Sequence, residues 1–90
     1  MIKLEEYLKD EDDIQFVKDI RDATGEDSQC EVFIRYKNLP LLLEPHGAEI
    51  NVYTHSVLLG SFETFDKMLL NFKLDGKAFI DCIPDVEYDD

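Results

Sequence analysis

The spacing of hydrophobic positions along the chain changes twice, and each change predicts a different type of element. A short helical pattern at residues 4–8 precedes a stronger one, whose apolar stripe predicts a helix over about 13–24: Phe16, Val17, Ile20 and Ala23. Asp12 and Gln15 have capping-box spacing, which makes Asp12 the expected N-cap. Whether the two helices fuse stays open at this point, since Glu11 interrupts the stripe.

From Gln29 onward the period becomes two, which is typical of half-buried strands. Alternation over 30–36 predicts a first strand, and 48–54 and 57–62 predict a third and a fourth. A second strand over 41–44 lies between two prolines and is expected to be short or at an edge, because proline cannot donate to a ladder. The connections are too short for parallel crossovers, so an antiparallel meander is expected.

The period returns to that of a helix after the fourth strand. Ser61 or Thr64 can cap a helix whose apolar face consists of Phe65, Met68, Leu69 and Phe72. Residues 77–83 fit either a short final helix before a proline or a strand. The chain is therefore predicted to be an α+β domain over 1–84, followed by a mobile acidic tail over 85–90. Its four-stranded antiparallel meander carries one or two helices at each end, packed on one face.

Some large apolar residues fall on the strand faces opposite the main alternation. Phe33 and Tyr53 belong to this set, together with Leu58 or Phe62. If the helices cover the other face of the sheet, these side chains are left partly exposed. Phe33 and Tyr53 are therefore candidate partner-binding residues on a sheet face.

The charge is strongly negative and unevenly distributed. Twenty-one acids and nine bases give a net charge of −12. Residues 1–28 carry −6 and residues 81–90 carry −5, whereas the long middle carries only −1. Such a chain repels nucleic-acid phosphates and anionic membrane surfaces and attracts basic partners. The candidate partner-binding acids are Asp12, Asp13, Asp19, Asp22, Glu26, Asp27, Asp85 and Glu87.

No motif in this sequence predicts metal, cofactor or redox chemistry. Cys30, His46, His55 and Cys82 are all isolated, whereas zinc modules bring their ligands in close pairs. The alternation places Cys30 on the inward face, so both cysteines are expected to be reduced, buried thiols. Neither an export signal nor an apolar run of membrane-spanning length is apparent, so a cytoplasmic protein is expected, without metal or cofactor.

Catalytic motifs are likewise missing from the sequence. His55 and Ser56 are neighbours, but adjacent side chains in an extended chain point to opposite faces. The four glycines are isolated, so no phosphate-binding loop is formed. We therefore expect a non-enzymatic interaction domain with a protein partner, which includes the case of a homodimer. The alternative is an acidic inhibitor or immunity-type protein that mimics nucleic acid and blocks a basic nuclease or DNA-binding protein.

Overall fold

A computed structural model describes residues 2–89, and a five-stranded antiparallel sheet forms its centre. The strands are β1 (Val32–Tyr36), β2 (Leu39–His46), β3 (Glu49–Thr54), β4 (Val57–Phe62), β5 (Lys73–Leu74), β6 (Lys77–Ala78) and β7 (Val86–Tyr88). The helices are α1 (Glu11–Ala23), α2 (Phe65–Asn71) and α3 (Phe79–Cys82), with single 3₁₀ turns at Leu4–Glu6 and Ile83–Asp85. The large sheet has the order β4-β3-β2-β1-β7, and β5 and β6 form a separate hairpin.

This architecture confirms the predicted fold class. The first four strands form an antiparallel meander, and helical segments from both ends of the chain cover one of its faces. Alternate strand residues point into the single core and are fully or almost fully buried: Val32, Ile34, Leu41, Leu43, Ile50 and Val52. The helices complete the core with Val17, Ile20, Met68, Leu69, Phe79 and Ile80.

Helix α1 begins earlier than the sequence pattern predicts. Its N-cap is Asp10, whose Oδ1 accepts a hydrogen bond from the Asp12 backbone N–H at 2.8 Å. The prediction of Asp12 as the cap was wrong because several acids in this run are able to cap, and only Asp10 is extended with its carboxylate turned back. Gln15 donates to Asp19 instead of completing a capping box. The 3₁₀ turn near residue 4 stays separate from α1.

Strand β2 is the longest strand and lies in the middle of the sheet, so the prediction of a short or edge strand was wrong. β1 pairs with its first half and β3 with its second. Pro40 precedes the part paired with β3, and Pro45 follows the part paired with β1. Each proline therefore has a neighbouring strand on one side only. The missing N–H of the proline breaks no ladder when it faces the other side. The Thr54 hydroxyl donates to the Pro40 carbonyl at 2.6 Å on the open side.

Cys30 is exposed, contrary to the prediction of a buried thiol, whereas Cys82 is buried as expected. The chain reverses at Gln29, which has a φ of 50°, before the strand begins at Val32. The Cys30 backbone N–H donates to the Ala23 carbonyl at 2.8 Å. This segment is therefore bonded to the end of α1 rather than to the sheet, and the alternation seen in the sequence does not extend through it.

The C-terminal region contains two features that the sequence pattern did not reveal. Asp75 and Gly76, both with positive φ, turn a small hairpin between β5 and β6. The ambiguous stretch 77–83 ends this hairpin and forms α3. Within the expected tail 85–90, residues 86–88 pair with β1 as a fifth strand, and Asp90 lies outside the described residues.

Helix α2 follows its prediction closely. Thr64 is the N-cap, and its hydroxyl accepts a hydrogen bond from the Lys67 backbone N–H at 3.1 Å. Ser61, the other candidate cap, lies within β4. All four residues of the predicted apolar face are buried. This helix, together with α3, fixes which face of the meander is closed.

Candidate protein interface

The face of the sheet that carries no helices displays a continuous apolar row. Strand register places Phe33 opposite Leu42, Leu42 opposite Tyr53, and Tyr53 opposite Leu58. Phe33 is 54% exposed and Leu58 is 51% exposed. The row crosses all four strands of the meander, from β1 to β4. We call these four residues the open-face row.

Three residues of the open-face row, Phe33, Leu42 and Tyr53, line a groove of about 540 Å³. Pro40 and Glu44 add to its walls, and His55, Ser56 and Asp89 stand at its margin. Phe33 and Tyr53 were predicted from the sequence, and the structure brings them onto the same face as expected. Leu42 and Pro40 were not predicted. Leu42 is the middle residue of three consecutive leucines, so periodicity alone could not show which one points outward.

Polar and charged side chains border the open-face row on both sides. On one side, Glu44 lies opposite Asn51, which lies opposite Ser61. Glu44 also pairs with His46 Nε2 at 2.8 Å. On the other side, Arg35 forms an ion pair with Asp89 and lies opposite Glu87 in the register. An apolar centre with a polar border is typical of protein–protein interfaces.

The turn between β3 and β4 holds a strained backbone at the margin of the groove. His55 and Ser56 have φ values of 48° and 67°, in the left-handed region that favours glycine and asparagine. A two-residue hairpin turn with two positive φ values is normally built from Asn-Gly. Such strain accumulates where a particular side chain is needed. His55 and Ser56 therefore extend the candidate interface.

We expect Ser56→Gly to raise the free energy of unfolding by about 1 kcal/mol, because glycine adopts this backbone without steric strain. Urea denaturation followed by circular dichroism measures this change. Ser61→Gly, in β4 where the φ is not positive, is the matched control and should destabilise the protein. A Ser56→Gly variant that is no more stable than the native chain would contradict the argument from strain.

The candidate acidic residues occupy exposed or half-exposed positions. Those of the first segment lie on α1 and just after it, with Asp13 the least exposed, and Asp85 and Glu87 lie at the other end of the chain. The two ends meet where the rings of Phe16 and Tyr88 pack edge to face at 4.9 Å between centroids. Glu87 differs from the others, because it lies beside Arg35 on the open face.

Burial and, to a smaller extent, neighbouring charges raise two pKa values near α1. Burial raises the pKa of the Asp13 carboxyl, and the charges of Asp10 and Asp12 raise it further. Burial also raises the pKa of the Tyr88 hydroxyl, with a smaller contribution from Asp19. Burial is therefore the larger cause of both shifts, and neighbouring acids add to it.

Tyr36 and Cys82 take part in structural contacts near the β5–β6 hairpin. The Tyr36 hydroxyl donates to Asp75 Oδ2 at 2.9 Å, which fixes the β5–β6 hairpin to β1 and raises the pKa of Tyr36. Burial raises the pKa of the Cys82 thiol. Within residues 2–89, no three His, Cys, Asp or Glu side chains are grouped to hold a metal ion. None of the helices in this range has the length and apolar character needed to cross a bilayer.

No protein family, curated protein or solved structure matches this chain. The case for a function therefore depends on the geometry of the open face and on the distribution of charge.

Proposed function

We propose that this chain is a non-enzymatic, cytoplasmic protein-interaction domain that binds a protein partner on the open face of its sheet. The observation that carries the proposal is the open-face row, an unbroken line of apolar side chains bordered by acids. A matching partner presents an aromatic or aliphatic anchor flanked by Lys or Arg. The cytoplasm is supported by Cys30, an exposed free thiol of the kind that persists in a reducing compartment.

The test places a photo-crosslinking amino acid at position 42, in the centre of the open-face row. Because Leu42 is half-buried between Phe33 and Tyr53, a residue here touches any partner that occupies the groove. Irradiation in living cells should give one dominant adduct. The same amino acid in place of Tyr7, which is exposed on the 3₁₀ turn near the N-terminus, is the control and should not give that adduct.

The partner identified in this way should lose at least about tenfold in affinity when Phe33 and Tyr53 are both changed to alanine, because interface anchors of this type contribute about 2 kcal/mol or more. Circular dichroism should show that the double variant remains folded, since Phe33 is largely exposed. Unchanged affinity in a folded double variant would overturn the proposal.

The acidic surface supports a second candidate, an inhibitor that captures a basic nuclease or DNA-binding protein. The contact between Phe16 and Tyr88 brings α1 and the acidic C-terminal strand together, as this candidate requires. Salt separates the two. Charge-held binding weakens steeply as ionic strength rises, whereas apolar binding changes little. Changing Asp12, Asp13, Asp19 and Asp22 to asparagine should release the partner of an inhibitor and leave an open-face partner bound.

A further inference from the structure

The two edges of the large sheet differ sharply. β7 is three residues long, follows Pro84, and carries Glu87, all of which discourage pairing with another strand. β4 is six residues long and contains neither charge nor proline. Within residues 2–89 it pairs with β3 alone, so its outer side has no strand beside it. An uncharged edge of this length is a template for another strand.

Three consecutive apolar residues of β4 are exposed. Val57 is 59% exposed, Leu58 is 51% exposed, and Leu59 is 42% exposed. Leu59 is the extra residue of a bulge, because Val52 pairs with Gly60 while Tyr53 pairs with Leu58. Such a bulge increases the local twist but adds no charge to keep another strand away.

Apolar surface lies beside this edge on both faces of the sheet. On the open face, the exposed side chain of Leu58 in β4 lies beside Tyr53 of β3. On the helix side a second groove of about 530 Å³ is bordered by Leu59, Phe62 and Phe72. A strand added to β4 sends its side chains alternately to the two faces, so each set has an apolar surface to contact.

The distribution of charge identifies the occupant of the edge as a second copy of this chain. Between residues 48 and 62 the only charged residue is Glu49, in a chain of net charge −12. The acids of the C-terminal segment lie near β7 at the opposite edge, where Phe16 of α1 also packs. Two copies that meet through β4 therefore bring together strands that carry little charge and keep their acidic C-terminal segments apart.

We propose that two copies pair through β4, antiparallel and about a twofold axis, to form one continuous ten-stranded sheet. A twofold axis uses both β4 edges, so the assembly closes at the dimer. Leu58 of each copy then lies at the junction, and the two open faces form a single surface. This inference does not depend on the proposed function, because it involves an edge of the sheet rather than a face.

Sedimentation analysis from low micromolar to near-millimolar protein tests the dimer. The native chain should shift from monomer to dimer, and added salt should strengthen the dimer by screening repulsion between two copies of charge −12. Binding of a basic partner responds to salt in the opposite direction. A chain that stays monomeric over this range, or that forms species larger than a dimer, would overturn the proposal.

Lysine substitutions locate the contact. Leu59→Lys and Val57→Lys each place a charge on the β4 edge and should abolish the dimer over the whole concentration range. Phe33→Lys adds the same charge on the open face, far from this edge, and should leave the dimer intact. Two edge variants are used so that the test still holds if one of them misfolds. Circular dichroism shows whether each variant is folded. If the dimer survives both folded edge variants, or if only Phe33→Lys removes it, the edge is not the interface.

Amide hydrogen exchange separates edge pairing from stacking of the open faces. Edge pairing should slow exchange within residues 57–62 as the protein concentration rises, and leave β1 unchanged. Slowing confined to residues near Phe33 and Leu42 would show face-to-face association instead and would overturn the inference. If the protein is monomeric and still gives the position-42 adduct, the dimer is refuted and the proposed function is retained.

Discussion

Replacing Phe79 with alanine should lower the free energy of unfolding by about 3–5 kcal/mol, the range expected for truncating a fully buried phenylalanine. Phe79 opens α3 and has no solvent exposure. Its ring lies 5.5 Å from that of Phe72, measured between centroids, and Phe72 in turn lies 5.9 Å from Phe62. The Phe79 backbone N–H also donates to the Phe72 carbonyl at 2.7 Å. Phe79 therefore connects α2, α3 and β4 at one point of the core.

Domains of this size have a total stability of about 5–15 kcal/mol, so this single change removes a large part of it. Urea denaturation followed by circular dichroism measures the loss. Phe33→Ala is the matched control, since it deletes the same atoms from an exposed position and should cost less than about 1 kcal/mol. Similar losses for the two variants would contradict the placement of one phenylalanine in the core and the other on an exposed sheet face.

Local patterns predicted the parts of the fold in which short-range chemistry decides the outcome. The bounds of β4 are those expected, because polar turn residues border an apolar run at both ends. The period of two placed Phe33 and Tyr53 on the same sheet face. In α2, the helical spacing and the Thr64 cap agree, so the element and its buried side were both predicted correctly.

The errors occurred where several residues of one type compete for a single role. Asp10 and Asp12 were both able to cap α1, and only the backbone conformation distinguishes them. Leu41, Leu42 and Leu43 carry no alternation of their own, so the inward and outward members could not be separated. Pro40 and Pro45 indicated an edge strand because the sequence does not show that the two neighbouring strands overlap β2 over different halves.

Strand β7 was missed for another reason. Three residues flanked by acids show no periodicity, and the residue they pair with is distant in sequence, as Ile34 with Tyr88 illustrates. Only the folded structure shows that the chain after Pro84 passes α1 and pairs with β1. The part of the candidate interface formed by Arg35 and Asp89 depends on this return and was equally hidden.

Deleting residues 86–90 should lower the free energy of unfolding by about 2–4 kcal/mol, a loss that a mobile tail could not produce. The deletion removes the β1–β7 ladder and the edge-to-face contact between Tyr88 and Phe16. Asp89→Asn is the matched control, because it removes the ion pair with Arg35 and leaves the strand in place. Since that pair is partly exposed, this variant should lose less than about 1 kcal/mol.

The two variants together assign the role of the C-terminal segment. A large loss on deletion with a small loss for Asp89→Asn means that β7 stabilises the fold through backbone pairing and packing rather than through the ion pair of Asp89 with Arg35. If the deletion leaves the unfolding free energy unchanged, β7 contributes nothing to the fold. In that case the open face would end at β1, and the acidic border supplied by Glu87 and Asp89 would no longer be fixed beside Phe33.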